Sequence, residues 1–216
     1  MTTLTGPEAT PASGGAAKQL IVFLHGVGAD GNDLFGLKDP FQEAFPDAHI
    51  ASPNAPYECD MAPYGYQWFS LQDRSADALL AGVKSVEGVL NQFIDDKLAE
   101  LSLGFDKLAI VGFSQGTMTA LHTMLRRGAP CAGIVGYSGA IVSSRSMNGE
   151  IKSRPPVCLI HGDADMVVPY AAMADAEATF AMNDVPYETH TRPGLGHGID
   201  PDGVQIGIEF LKKRFG

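Results

Sequence analysis

Short apolar runs separated by longer amphipathic stretches set the rhythm of this chain. The runs fall at residues 20–24, 50–51, 107–112, 134–137 and 157–160, with a weaker one at 187–191. Runs of this length bounded by turn residues read as strands, and their alternation with helical stretches implies a mostly parallel sheet. Between residues 79 and 103, Leu79, Val83, Val86, Leu90, Phe93, Ile94, Leu98 and Leu101 recur at spacings of three and four, the signature of an amphipathic helix. Similar patterns cover residues 115–127, 170–183 and 204–214, the last ending in Lys212, Lys213 and Arg214, where cations suit the helix dipole. The fold expected is α/β: a three-layer sandwich with a mostly parallel central sheet and helices on both faces.

With 216 residues, the chain fits one domain with a large core, expected over residues 18–216. Residues 1–17, rich in Thr, Pro, Ala and Gly, have no basic start and no long apolar stretch, and are expected to form a flexible arm rather than a leader or membrane span. A net charge of -10 argues against nucleic acid or an anionic membrane surface as the main partner. Cys59, Cys131 and Cys158 are odd in number and lack metal-ligand spacing, so the simplest reading is a cytoplasmic protein without a metal.

Chemistry enters at residues 110–116, where an apolar strand end runs into Gly112-Phe-Ser-Gln-Gly116. Gly-x-Ser-x-Gly between strand and helix is the sequence form of a nucleophile elbow, which makes Ser114 the candidate nucleophile. In a chain with 25 glycines the pentapeptide alone could arise by chance, so its partners must carry the reading. A serine hydroxyl needs a histidine base, and the base needs a carboxylate to orient it. Ser114 is followed by Asp163 and Asp165 after one apolar run, then by His190 and His197. His197 is favoured because it lies in a glycine-flanked loop, whereas His190 sits inside a strand-like segment. Asp165 is favoured over Asp163 because it stands further beyond the strand end, leaving Asp163 to brace nearby backbone N–H groups. The remaining histidines, His25, His49, His122 and His161, read as structural. The N–H groups of Val27 and Gln115 are the candidate oxyanion donors. The early loop also spells Gly26-x-Gly28-x-x-Gly31, the pattern of a dinucleotide-binding oxidoreductase, but Asp30 would bring a carboxylate against the pyrophosphate.

Taken together, His25-Gly-Val-Gly-Ala-Asp-Gly-Asn-Asp-Leu34, Gly112-Phe-Ser-Gln-Gly116, His161-Gly-Asp-Ala-Asp-Met-Val-Val-Pro169 and Gly194-Leu-Gly-His197 resemble the phospholipase/carboxylesterase family, which includes the acyl-protein thioesterases. The likeness runs over roughly residues 19–214. It implies a compact α/β-hydrolase with almost no cap, hydrolysing carboxylic esters or thioesters without a metal or organic cofactor. Ser114, Asp165 and His197 match the family's triad, and Val27 and Gln115 its oxyanion hole. Two positions depart from the family pattern: Met166 stands where proline is common, and Thr117 where glycine is common.

Residues 61–71 concentrate four aromatics, including the only tryptophan. Phe69 and Leu71 are expected in the core, while Trp68 and Met166 are expected to border the acyl site. A neutral pocket on a negative protein points to neutral, small-molecule esters with short to medium acyl chains, with lysophospholipase or acyl-protein thioesterase activity as the alternative. An apolar rim without a cap also allows a homodimer.

Overall fold

The structure, a computed structural model, describes residues 3–143, 147 and 149–215. In chain order its elements are β1 (Glu8–Ala9), β2 (Gln19–Leu24), α1 (Gly31–Phe35), α2 (Lys38–Ala44), β3 (Ala48–Ala51), β4 (Tyr57–Glu58), β5 (Tyr66–Gln67) and α3 (Ala76–Leu101). They continue with β6 (Leu108–Phe113), α4 (Gln115–Arg126), β7 (Gly133–Tyr137), β8 (Val157–Gly162), α5 (Ala171–Met182), β9 (Tyr187–Arg192) and α6 (Pro201–Phe215). Seven strands form one sheet in the order β1-β3-β2-β6-β7-β8-β9, parallel except for β1, and β4 and β5 form a separate antiparallel pair.

Side chains on a strand alternate between faces, and the two halves of the core follow from that period. Leu20, Val22, Leu24, Leu108 and Ile110 pack on one face with Val83, Val86 and Leu90 of α3, Leu121 and Leu125 of α4, and Phe180 of α5. Ile21, Phe23, Ala109 and Val111 point the other way, against Leu34 of α1, Phe41 of α2, and Ile208 and Leu211 of α6. The expected α/β-hydrolase sandwich is therefore the observed one.

Two departures from the sequence reading concern edges. The helix expected to begin at residue 79 begins at Ala76, because Ser75 Oγ accepts the N–H of Ala78 as an N-cap. The arm expected to be loose is instead tied down: β1 pairs antiparallel with β3, Leu4 is buried in the core, and Thr5 and Pro7 accept backbone bonds from Asn54 and Ser52. Composition could not show this, since a short edge strand is stabilised mainly by backbone pairing, to which its Thr/Pro/Ala/Gly-rich surroundings give no clue.

The topology also fixes where a site can form. From β2 the chain moves outward to β3, then returns through α3 to β6 on the opposite side of β2. A crevice opens at the carboxyl ends of a parallel sheet where the winding reverses, and ligands bind there in open α/β folds. Here that point lies between β2 and β6, whose following segments are the His25 loop and Ser114.

Candidate active site

The elbow forms because two glycines allow close approaches that side chains would forbid, Gly112 of β6 against α4 and Gly116 of α4 against the end of β2. A Cβ on Gly112 would lie 2.6 Å from Thr117 N, and one on Gly116 only 1.9 Å from Leu24 O. Ser114 between them has φ 53° and ψ -116°, a conformation L-residues rarely adopt and one that stores strain at the strand-to-helix turn. The turn is held by the N–H of Ser114 donating to Tyr137 O at 2.9 Å. Thr117, the residue in place of the family's usual glycine, is buried beneath the turn, where Oγ1 donates to Tyr137 O at 3.0 Å. Room for its methyl group comes from Gly136 and Gly139, where added Cβ atoms would lie 2.5 Å or less from Thr117 side-chain atoms.

Strands β8 and β9 deliver the other two groups. His197 Nε2 lies 3.0 Å from Ser114 Oγ, and His197 Nδ1 lies 2.7 Å from Asp165 Oδ2. The Asp165 side chain is fully buried, and its second oxygen accepts the N–H groups of Val167 and Val168 at 2.8 and 2.9 Å. Burial alone would raise its pKa, but the bonds from His197 and the two backbone N–H groups outweigh it and leave the carboxyl below its usual range. These same backbone bonds fix the loop that lacks the family's proline. Met166 itself points outward, with 92% of its surface exposed, so it stands at the rim rather than in a pocket wall.

Asp163 and Asp165 divide their work. Asp163 Oδ1 accepts the N–H of Gly194 at 2.6 Å, binding the loop after β8 to the loop that carries His197. The two loops also share the bond from Ala164 N–H to Leu195 O, and the His197 ring leans on Phe113 with centroids 4.9 Å apart. His161, read as structural from sequence, sits directly behind the acid: its Nε2 is 3.0 Å from Val168 O and 3.2 Å from Asp165 Oδ2. Sequence spacing carried no signal for that contact, because residues 161–165 run from a strand end into a turn, where i,i+4 neighbours do not ordinarily meet.

On the opposite flank of Ser114 the structure is made of backbone. Val27 N–H has no hydrogen-bond partner among the described residues. The N–H of Gln115 belongs to the first turn of α4, where helical N–H groups lack intrahelical acceptors. Around them runs a buried network. Gln115 Oε1 accepts the N–H of Trp68 at 2.8 Å, and its Nε2 donates to Phe69 O at 2.7 Å. Trp68 Nε1 donates to His25 O at 2.9 Å, and Gly28 N–H donates to Tyr66 O at 2.8 Å. Because His25 Nε2 accepts the N–H of Ala55, its proton sits on Nδ1 and bonds Gly26 O; burial lowers its pKa and keeps it neutral. Trp68 is thus not an open pocket wall, as expected from sequence, but a fully buried pillar beneath the His25 loop. An indole whose N–H needs an acceptor finds it in backbone here, and sequence could not distinguish that from a ligand-facing ring.

The nucleotide reading of the same loop fails on local geometry. Asp30 caps the short helix α1, accepting the N–H of Asn32 at 2.8 Å, so a carboxylate occupies the position a pyrophosphate would need.

The chain is similar to known proteins over nearly its whole length. The phospholipase/carboxylesterase family model matches residues 7–215. The crystal structure of esterase PE8 superposes with a TM-score of 0.93 at 41% identity, covering 98% of this chain and 99% of that one. Among curated proteins, esterase YpfH of Escherichia coli is 28% identical over 91% of this chain and 83% of its own length. Acyl-protein thioesterase 1 of Saccharomyces cerevisiae is 29% identical over 91% of this chain and 93% of its own. With the family model spanning nearly the whole chain and the fold shared with an esterase, the chain belongs to the phospholipase/carboxylesterase family and is a carboxylic ester hydrolase.

Proposed function

We propose that the protein is a serine esterase acting on neutral carboxylic esters of short to medium acyl chain through an acyl-serine intermediate. The observation that carries the reading is the position of His197, which reaches Ser114 Oγ with one ring nitrogen and Asp165 with the other. In the proposed reaction His197 Nε2 takes the Ser114 proton as Oγ attacks the ester carbonyl, and Asp165 holds the ring in the Nδ1–H tautomer and stabilises the imidazolium. The N–H groups of Val27 and Gln115 receive the developing oxyanion. His197 then returns the proton to the leaving alcohol. Water, activated by the same nitrogen, attacks the acyl-serine, releases the acid and restores the hydroxyl. The preference for neutral substrates rests on the net charge of -10, which repels anionic esters at long range.

The test has two parts. A fluorophosphonate probe is expected to label Ser114, and Ser114→Ala to remain folded while losing turnover by about 10⁴-fold or more. Labelling elsewhere, or a mutant that keeps most of its activity, refutes the assignment. A p-nitrophenyl ester series from acetate upward is expected to peak at short to medium chains; best turnover on long or charged acyl groups overturns the substrate reading. The likeness to a yeast acyl-protein thioesterase favours a second reading, thioester hydrolysis by the same acyl-serine route. Paired oxygen and thio esters of one acyl chain separate the two.

A further inference from the structure

We propose that Cys158, Glu188 and His190 form a binding site for zinc, in the groove between β9 and α6 and apart from the hydrolytic centre. The sheet register assembles the three. Cys158 lies opposite Glu188 in the parallel β8–β9 pair, and Ile160 lies opposite His190, so Glu188 and His190, two residues apart, share the face toward which Cys158 points. Their ligand atoms, one sulfur, one carboxylate oxygen and one ring nitrogen, all lie within 4.8 Å of one another. Sequence spacing conceals this set because the ligands come from neighbouring strands, not from one local motif.

The donor chemistry matches a borderline-soft divalent cation. Thiolate, imidazole and carboxylate are the ligand types zinc takes in tetrahedral sites, and three protein ligands leave the fourth position to solvent. Thiolate and carboxylate together balance the charge of the ion. An entry path exists: Glu188 and His190 line a groove of about 380 Å³ with Gln205, Glu209 and Lys213 of α6 on the other wall. The cation Arg192 at its end is already paired with Asp200 and Asp202. Cys158 does not line the groove; it lies behind Glu188 on the neighbouring strand and is fully buried. Burial, reinforced by the Glu188 carboxylate, pushes its thiol up to about 12, so zinc binding must exchange the Sγ–H bond for Sγ–metal and release the proton to solvent. None of these groups belongs to the proposed triad, whose acid and base lie in loops beyond the ends of the same two strands.

The experiment titrates zinc(II) into metal-free protein against a chromophoric chelator, and cobalt(II) in parallel for its thiolate charge-transfer band. One equivalent is expected to bind, with affinity falling about tenfold or more in both Cys158→Ser and His190→Ala, since losing a ligand costs at least what losing its supporting partner does. Affinity is expected to rise with pH, and Cys131→Ser to bind as the unmodified protein does. Absence of uptake, uptake that survives both substitutions, or cobalt binding without a thiolate band overturns the proposal. Should Cys158→Ser fail to fold, His190→Ala on the edge strand and the cobalt spectrum of the unmodified protein decide it.

Discussion

The two flanks of Ser114 are built from different materials. On one side lie two side chains, His197 and Asp165, joined by a 2.7 Å bond and delivered by loops after neighbouring strands. On the other side lie backbone N–H groups, held in place by Gln115, Trp68 and His25, whose own side chains point away into a buried network. The first flank places its proposed chemistry in side chains, where a conservative substitution can keep the backbone contacts that hold the loop. The second carries it in the course of the chain, so any change there alters stability and function together.

The largest expected effect separates the flanks at the acid. Asp165→Asn keeps an oxygen for the N–H groups of Val167 and Val168, but its amide faces His197 with a donor and favours the wrong tautomer. Turnover is expected to fall by about 10³–10⁴-fold, with denaturation shifted by only about 1 kcal/mol. A loss of stability as large as the loss of rate would show that the acid flank is as structural as its counterpart.

Gln115→Ala is the matching test on the other flank. The backbone N–H proposed to hold the oxyanion remains, but the N–H of Trp68 and the carbonyl of Phe69 lose their buried partner. An unpaired buried polar group costs about 1–3 kcal/mol, so stability is expected to drop by roughly 2–4 kcal/mol. Turnover at a temperature where the variant stays folded is expected to fall only about tenfold, through looser placement of the donors. Unchanged stability in urea denaturation would contradict the network.

The contrast also explains what was legible in the sequence. Ser114, Asp165 and His197 could be singled out because side-chain chemistry is written in residue identity and order, and five of the six principal strands announced themselves as apolar runs. The sixth, β9, was faint because it is an edge strand whose Tyr-Glu-Thr-His-Thr-Arg is only partly buried. Backbone and edge features were not legible. β1 and the β4–β5 pair contain two residues per strand, too few for any periodicity. Trp68 read as a pocket residue because an indole suits both a core and a ligand, and only its bond to His25 O decides. Thr117 stood out only as a departure from the family's glycine, and its packing role, with the methyl fitted against Gly136 and Gly139, needed the structure.

The smallest effect distinguishes the flanks by pH. Burial, together with the nearby Arg126 cation, lowers His122 to about 4 from its ordinary 6.5, and burial lowers His25 as well. Both are nearly inaccessible to solvent, and among the described residues neither ring nitrogen of His122 has a hydrogen-bond partner, the Glu87 carboxylate standing 3.5 Å from Nε2. Between pH 6.5 and 4 the unfolded chain therefore binds protons that the folded chain refuses, so stability falls as pH drops through this window and is flat above it. The Asp165 carboxyl is also held below its ordinary range, and because that range already lies at or below this window, its stabilising contribution is lost only under stronger acid. Mild acidification should thus weaken the His25 side and helix α4, which follows Ser114, while leaving Asp165 charged. Unfolding free energies from urea denaturation at pH 7 and pH 5 are expected to differ by on the order of 1–3 kcal/mol, and His122→Gln to shrink that difference while His25 supplies the remainder. An undiminished difference in His122→Gln would move the sensitivity away from α4 and onto the His25 loop, where a protonated ring could no longer accept the N–H of Ala55.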